Sequence, residues 1–255
     1  YTTDVSGTDD TASGNSAYGY QAMDAITTGD NNTAMGFGAL GANTTGSPNV
    51  AVGRAALAAN TTAANNVAVG DRALTTNTTG YSNTALGDRA LTANTTAHSN
   101  TAVGADSLAA NTTGSANTAV GLSALLANTT GARNTAIGYQ AYDASDTEND
   151  NIAIGYQAMT TNTAGGTGNV AVGNYALDAL TSGDYNVAIG HVALGGNTTA
   201  DANVAVGHAA LLANTTGVSN IAMGRQALTT NITGSNNTAI GHVALGDNTA
   251  SNNTA

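Results

Sequence analysis

A short motif that recurs at a constant period of seventeen constrains this chain more than any other feature. An asparagine opens an N-x-A-x-G block fourteen times, and twelve of the thirteen intervals between these asparagines equal that period, as from Asn66 to Asn83. The remaining interval, from Asn151 to Asn169, is longer by a single residue. The consensus reads N-[TV]-A-[VI]-G-x-x-A-L-x-x-N-T-T-G-x-x, and its first asparagine defines position 1 of the repeat. Tandem self-similarity of this kind is typical of folds in which each repeat packs on its neighbours.

The length and pattern of the repeat indicate its fold class. A repeat this short cannot hold a helical hairpin and matches one coil of a β-solenoid. The N-T-A-V-G block predicts a short strand that ends at glycine, and the x-x-A-L-x-x block predicts a second short strand. The N-T-T-G-x-x segment predicts the return loop. We therefore expect an all-β fold, a parallel β-solenoid (β-roll) of about fourteen 17-residue coils with two short strands per coil.

The repeat also predicts the domain organisation. Residues 15–255 are predicted to form a single solenoid domain in which the last coil, from Asn253 to Ala255, is incomplete. Residues 1–14 do not fit the repeat. Because an open terminal coil is an unpaired edge, this segment is predicted to be an N-terminal cap or a linker to a previous subunit.

Composition excludes several classes of protein. The chain has 16 acidic residues, five Arg and no Lys, for a net charge of −11, so it offers no basic face for nucleic acid. It lacks Cys, which excludes disulfide scaffolds and thiolate zinc sites. Its apolar runs are short, whereas a membrane-spanning helix needs about 20 apolar residues. We expect no nucleic-acid partner and no membrane span.

Position 1 predicts a structural ladder. Stacked coils place equivalent residues about 4.8 Å apart, and stacked asparagine amides hydrogen-bond to one another along the stack. The predicted ladder includes Asn66, Asn83, Asn100 and Asn117. Position 12 is also mostly asparagine.

The apolar positions predict an interface. Position 3 is alanine in every coil and position 4 is larger, and neighbouring residues of a strand point to opposite faces. We apply the same argument to positions 8 and 9, such as Ala73 and Leu74. One face then carries only alanine, and the other is an aliphatic stripe of the kind that oligomers bury. The alternative is a wider monomeric coil with the large side chains inside and alanine outside. The predicted oligomer interface comprises Val69, Val103, Val120, Ile137, Ile154, Val172 and Ile189.

The N-x-A-[VI]-G-x-x-A blocks resemble the head repeats of YadA-like trimeric autotransporter adhesins. Residues 66–70 (N-V-A-V-G) and 186–190 (N-V-A-I-G) are the most similar. The resemblance implies a left-handed parallel β-roll with three chains packed on a hydrophobic centre. The return loop N-T-T-G-x-x makes this repeat longer than the usual repeat of that family. Repeats of phage tail fibres are similar as well.

Position 6 contains a candidate ligand face. Tyr139 and Tyr156 are one coil apart, as are His191 and His208. Stacked tyrosines bind a sugar or pack on each other. The two histidines suit either a surface metal site or a plain exposed ladder, and no third ligand accompanies them.

The irregular stretch at residues 143–150 contains a candidate calcium site. Its carboxylates Asp143, Asp146, Glu148 and Asp150 are the oxygen ligands that Ca²⁺ prefers, although no EF-hand pattern is present. The alternative is a solvated acidic loop. No other cofactor is expected.

Two further patterns lie in the return loops. Nine loops carry N-x-T sequons, which in a secretory protein of a eukaryote would be glycan acceptors on exposed loops. The acceptor asparagines are Asn43, Asn60, Asn77, Asn94, Asn111, Asn128, Asn197, Asn214 and Asn231. The threonines that follow six of them form a column, as in ice-binding solenoids: Thr44, Thr61, Thr78, Thr95, Thr112 and Thr129.

Polar residues recur in register instead of converging on one place, which argues against an enzyme. The sequence favours a non-enzymatic extracellular fibre protein on a cell or virion surface, structural and adhesive. Its partners would be copies of itself, as a trimer or a filament, and host surface glycans or proteins. The alternatives are a phage tail-fibre module that binds glycans and an ice-binding solenoid.

Overall fold

The computed structural model of the chain describes residues 12–162 and 165–255. These two ranges hold fourteen parallel β-strands and no helix, so they offer no helical segment that could traverse a bilayer. The chain divides into two compact units, Tyr1–Thr130 and Gly131–Ala255, which we call unit 1 and unit 2. Residues 1–11 of the predicted cap lie outside the described residues.

Unit 1 contains seven strands, each at the start of a coil. Neighbouring strands pair in parallel in a register of one repeat, so that Ala34 pairs with Ala51 and Ala51 with Ala68. The predicted solenoid with one coil per repeat is thereby confirmed. The strands are β1 Ser16–Tyr18, β2 Thr33–Met35, β3 Asn49–Val52, β4 Asn66–Val69, β5 Thr84–Leu86, β6 Thr101–Val103 and β7 Thr118–Val120.

Unit 2 repeats this architecture. Its strands also pair in parallel, and the pairing of Ala153 with Ala171 absorbs the extra residue of the coil that begins at Asn151. The strands are β8 Thr135–Ile137, β9 Ile152–Ile154, β10 Val170–Val172, β11 Val187–Ile189, β12 Val204–Val206, β13 Ile221–Met223 and β14 Thr238–Ile240. A bridge between Thr238 and Thr254 follows β14.

Side chains alternate along each strand as a pleated backbone requires. Ala68 at position 3 is fully buried, whereas Val69 at position 4 is 36% exposed. The same contrast holds in unit 2, where Ala188 is buried and Ile189 is 41% exposed. The alternative arrangement, with alanine outside and the larger side chains inside, is therefore wrong for the strand.

The predicted second strand is wrong, because no coil in the described residues contains one. The backbone has positive φ at positions 7 and 9, as at Arg72 (53°) and Leu74 (51°), which is incompatible with a strand. The x-x-A-L-x-x block is instead a series of turns, and main-chain N–H groups in it form hydrogen bonds with the neighbouring coils as those of a strand would. Arg72 N–H donates to the carbonyl of Arg54 in the preceding coil, and Leu74 N–H donates to that of Ala90 in the following one.

The turns change which side chains form the core. Ala73 and Leu74 are both fully buried, although the argument from strand alternation placed them on opposite faces. The alternation rule applies only where successive residues are extended, and the positive φ at Leu74 removes it. A typical coil therefore fills its centre with two alanines and one leucine, such as Ala85, Ala90 and Leu91.

Glycine at position 5 is required by a close backbone approach. Gly104 has φ +132°, and a Cβ placed on it would lie 2.5 Å from the carbonyl oxygen of Gly121 in the next coil. No other residue has both the conformational freedom and the small size that this contact needs. Glycine at position 5 therefore allows the chain to pass directly from the strand into the turns at positions 6–9 while the next coil stays close.

Candidate functional site

The predicted oligomer interface lies on the outer face of the strands in both units. Position 4 is exposed or half-buried throughout, and positions 2 and 4 carry no charged side chain. Val69, Ile137 and Ile189 are exposed, and the other predicted interface residues are half-buried: Val103, Val120, Ile154 and Val172.

The outer face of β9–β13 is wider than the sequence argument indicated. Position 2 points outward as well, and in these five strands it is Ile or Val instead of Thr. The period-2 pattern of the N-[TV]-A-[VI] block indicates that positions 2 and 4 point to the same side. Only position 4 was assigned to the outer face from the sequence. We call the outward set at positions 2 and 4 the aliphatic stripe of each unit. The additional members in unit 2 are Ile152, Val170, Val187, Val204 and Ile221.

The position-1 asparagines form a buried hydrogen-bonded ladder. The main-chain N–H of Asn83 donates to Oδ1 of Asn66 at 2.9 Å, and its Nδ2 donates to the same oxygen at 3.2 Å. The N–H of Asn100 donates to Oδ1 of Asn83 at 3.0 Å, and that of Asn117 to Oδ1 of Asn100 at 2.9 Å. All four side chains have no exposed surface, so these amides support the fold and are inaccessible to a ligand.

The position-12 asparagines form a second buried ladder, joined to the first. Nδ2 of Asn94 donates to Oδ1 of Asn77 at 2.8 Å and to the carbonyl of Ala97 at 3.1 Å. Nδ2 of Asn83 donates to the same Ala97 carbonyl at 2.9 Å. One position-15 carbonyl therefore accepts from both ladders, which closes the coil across the return loop.

This second ladder overturns the expectation that the nine N-x-T asparagines at position 12 lie on exposed loops. All nine have no exposed surface, and the amide nitrogen that a glycan would join is a donor inside the solenoid, as at Asn94. The N-x-T motif is present, but the loop turns its asparagine inward. A buried amide needs a hydrogen-bond partner, and the neighbouring coil supplies it.

The threonines after these asparagines are also used within the fold. The hydroxyl of Thr44 donates to the carbonyl of Thr61 at 3.0 Å, and that of Thr112 to the carbonyl of Thr129 at 3.0 Å. These threonines are part-buried, and their hydroxyl groups donate to main-chain carbonyls of the next coil. Ice binding by this column stays a prediction that these contacts do not favour.

The candidate ligand face of unit 2 is a continuous row of rings. Tyr139 and Tyr156 stack with centroids 5.2 Å apart and an interplanar angle of 9°. His191 and His208 stack in the same way at 5.4 Å and 10°. Tyr175 joins the two pairs through edge contacts of 5.4 Å to Tyr156 and 6.0 Å to His191. Sequence reasoning missed Tyr175 because it is at position 7.

The stacking limits what this row of rings can bind. A sugar packs on the open face of a ring, and in each stacked pair the rings cover one face of each other. The two parallel imidazoles cannot chelate one ion as they stand, because each nitrogen lone pair lies in its own ring plane. No group of three His, Asp or Glu in residues 12–162 and 165–255 is placed to hold a metal ion.

The carboxylates of the candidate calcium site have separate environments. Glu148 is buried at 3% exposure, and its Oε2 accepts from the N–H groups of Asp146 and Thr147 at 2.9 and 3.0 Å. Asp150 pairs with Arg133 at 2.6 Å, which lowers the pKa of its carboxyl through that hydrogen bond. Burial raises the pKa of Asp143. The structure thus makes Glu148 a cap of its own loop and Asp150 an ion-pair partner.

A buried tyrosine completes the fold at the same coil, and sequence reasoning did not identify it. Tyr142 occupies position 9, where most coils have leucine, and is fully buried. Its hydroxyl oxygen accepts from Nδ2 of Asn151 at 2.6 Å and of Asn162 at 3.0 Å. Burial raises the pKa of this phenol, so it stays a neutral hydrogen-bonding group.

Ion pairs between successive coils join oppositely charged residues at the same repeat position. Arg54 pairs with Asp71 at 2.8 Å and Arg89 with Asp106 at 2.7 Å, each across one repeat. These exposed pairs relieve the repulsion that stacked carboxylates would otherwise produce. They lie at positions 6 and 7, away from the aliphatic stripe.

Each unit is thus a scaffold with an extended apolar face, and unit 2 also carries the row of rings. The chain matches no protein-family model and no curated protein sequence.

Proposed function

We propose that this chain is a non-enzymatic extracellular fibre module, structural and adhesive, that associates laterally with copies of itself. The observation that carries the proposal is the aliphatic stripe. Valine, isoleucine, leucine or methionine lies half-buried or exposed at position 4 of consecutive strands in each unit, which produces a contiguous apolar surface. Contiguous apolar surface of this kind is buried in protein interfaces.

A second copy of this chain is the occupant that best matches the stripe. Positions 2 and 4 hold no charged side chain, whereas charges gather at other positions, as in the Arg54–Asp71 and Arg133–Asp150 pairs. The stripe repeats at the spacing of neighbouring strands, about 4.8 Å. An identical chain presents the same repeat, so its side chains fit between those of the first over the full length of the contact.

The non-enzymatic part of the proposal rests on the ladders. Catalysis needs different groups that converge on one place, and here the neighbour of a buried asparagine is another copy of itself, as for Asn66 and Asn83. The extracellular location rests on the resemblance of the N-x-A-[VI]-G repeats to those of surface fibres. Adhesion to host glycans or proteins belongs to the same proposal.

Light scattering coupled to size-exclusion chromatography tests the self-association. We expect wild-type protein to form a trimer or a larger assembly, and the Ile154→Asp, Val172→Asp double variant to be monomeric. The matched control is Ile232→Asp, since Ile232 is 51% exposed in unit 2 but lies at position 13, off the stripe. The control should assemble like the wild type. A wild-type chain that stays monomeric at every concentration would refute the proposal.

A further inference from the structure

Two exposed tyrosines of unit 2 lie ring on ring, and the backbone holds them there. The centroids of Tyr139 and Tyr156 are 5.2 Å apart with an interplanar angle of 9°, and each residue is 42% exposed. The N–H of Gly155 donates to the carbonyl of Ile137 at 2.8 Å, and that of Gln157 to the carbonyl of Tyr139 at 3.0 Å. These bonds on both sides of Tyr156 keep the two rings within one coil spacing of each other.

We propose that Tyr139 and Tyr156 form an oxidative cross-linking site, at which the two phenols are joined as dityrosine. The co-reactant is hydrogen peroxide acting through a peroxidase. Each phenol loses one electron and its phenolic proton, which gives two tyrosyl radicals. The unpaired electron has density at the ortho carbon in an orbital perpendicular to the ring plane. Two radicals therefore form a bond when their rings face each other, as these two rings do.

The atoms and electrons of this step balance. The new bond joins one ortho carbon of each ring, and each ring regains aromaticity when its ortho hydrogen leaves and a proton returns to the phenol oxygen. Two electrons and two protons have then left the pair. They reduce one molecule of hydrogen peroxide to two molecules of water.

Other tyrosines of the described residues lack this geometry. Tyr175 meets Tyr156 at a similar distance, 5.4 Å, but edge-on at 67°, so its ring does not face that of Tyr156. Tyr20 stacks on Phe37, and Tyr81 on His98, neither of which is a phenol. Among the tyrosines in residues 12–162 and 165–255, cross-linking within one chain is therefore selective for the pair of Tyr139 and Tyr156.

The site lies where the solenoid is least regular. It joins the coil that contains the buried Glu148 loop to the following coil, which has one extra residue. A covalent link there restricts the unfolded chain and so favours the folded one. The inference needs a single chain only and does not depend on the proposed self-association.

Treatment of the full chain with hydrogen peroxide and a plant peroxidase tests the site. Dityrosine fluorescence measures the yield. Cleavage at aspartate separates the two tyrosines, because Asp143, Asp146 and Asp150 lie between them, and fragment ions in tandem mass spectrometry then locate the bond. A tethered ring has an effective concentration on the order of millimolar. At about 10 μM protein, the product within one chain should therefore exceed the product between chains by about 100-fold.

Three phenylalanine variants provide the controls, and each keeps a ring in the stack. Tyr139→Phe and Tyr156→Phe should each abolish the product within one chain, whereas Tyr175→Phe should retain it. Circular dichroism checks that each variant is folded. The proposal is overturned if the wild type yields no dityrosine within one chain, if the yield survives Tyr156→Phe, or if the fragment ions place the bond at other tyrosines.

Discussion

The hydroxyl oxygen of Tyr142 accepts a hydrogen bond from Nδ2 of Asn162 at 3.0 Å. In unit 1 the equivalent Nδ2 donates to the asparagine one coil earlier, as Asn94 does to Asn77 at 2.8 Å. The coil before Asn162 has Ser145 at position 12, so the asparagine acceptor is missing there. The tyrosine at position 9 reaches the same place and restores the ladder.

Removal of this hydroxyl should therefore destabilise unit 2. We expect Tyr142→Phe to lower the free energy of unfolding by about 1–3 kcal/mol, since it removes one acceptor from each of two buried amide groups. Nδ2 of Asn162 keeps its bond to the carbonyl of Gly166. Nδ2 of Asn151 keeps its bonds to the carbonyls of Asn149 and Gly166. The double change Tyr142→Leu, Ser145→Asn restores the consensus of the repeat and should recover the stability. Urea denaturation of both variants measures the effect. A double variant no more stable than Tyr142→Phe would contradict this account of the ladder.

Glycine at position 5 should tolerate no side chain. Gly104→Ala combines φ +132° with a Cβ 2.5 Å from the Gly121 carbonyl oxygen. We therefore expect it to lower the free energy of unfolding by about 3 kcal/mol or more. The matched control is Gly38→Ala in the same unit. Gly38 has φ +65° and nothing within 4 Å of its added Cβ, so its loss should be about 1 kcal/mol. Thermal unfolding compares the two, and equal losses would show that the close approach is unimportant.

Asp178 and Asp150 of unit 2 should contribute to the pH dependence of stability in opposite directions. Burial raises the pKa of Asp178, so the folded chain holds this proton more tightly than the unfolded chain does. Its contribution is present below the ordinary value of 3.8 and is lost as pH rises through the raised pKa. Asp178→Asn should therefore stabilise the chain at neutral pH, by less than about 1 kcal/mol given its partial exposure.

Asp150→Asn is the control of opposite sign. The hydrogen bond from Arg133 lowers the pKa of Asp150, so its contribution is present above 3.8 and is lost as pH falls through the lowered pKa. This variant should be less stable than the wild type at neutral pH and equal to it in strong acid. Denaturation curves at several pH values compare the three chains. Shifts of the same sign for both variants would disprove the assignment.

The buried sequons predict a dependence of glycosylation on folding. Nδ2 of Asn94 is a donor with no exposed surface, so an oligosaccharyltransferase and its lipid-linked donor should not modify Asn94 in the folded chain. The urea-unfolded chain, diluted into the same reaction, should accept glycan at the N-x-T sites. Peptide mass spectrometry measures the occupancy at Asn94. Equal occupancy in the folded and unfolded samples would show that the ladder opens readily.

Several features were predictable from sequence because they depend on period alone. The constant spacing sets the register, and a register of identical residues implies the ladder of Asn66, Asn83, Asn100 and Asn117. The outward direction of Val69 next to the inward Ala68 follows from the pleat of an extended strand. Each of these inferences needs only local geometry and translation from one coil to the next.

The inward direction of Leu74 was not predictable in this way. Alternation along a strand would have turned either Ala73 or Leu74 outward, but positive φ at position 9 places both in the core. The backbone adopts that conformation because Gly70 lets the next coil approach closely and the amides of the turns bond to the coils on either side. Such bonds exist only when the coils are stacked.

The sequence by itself determined the repeat, the parallel register and the columns of like residues, because each follows from one short unit copied along the chain. Only the tertiary structure decided which side chains enter the core, which asparagines are hidden, and that Tyr139 and Tyr156 face each other. The physical reason is that these outcomes depend on backbone turns and hydrogen bonds between neighbouring coils. A single repeat does not contain those interactions.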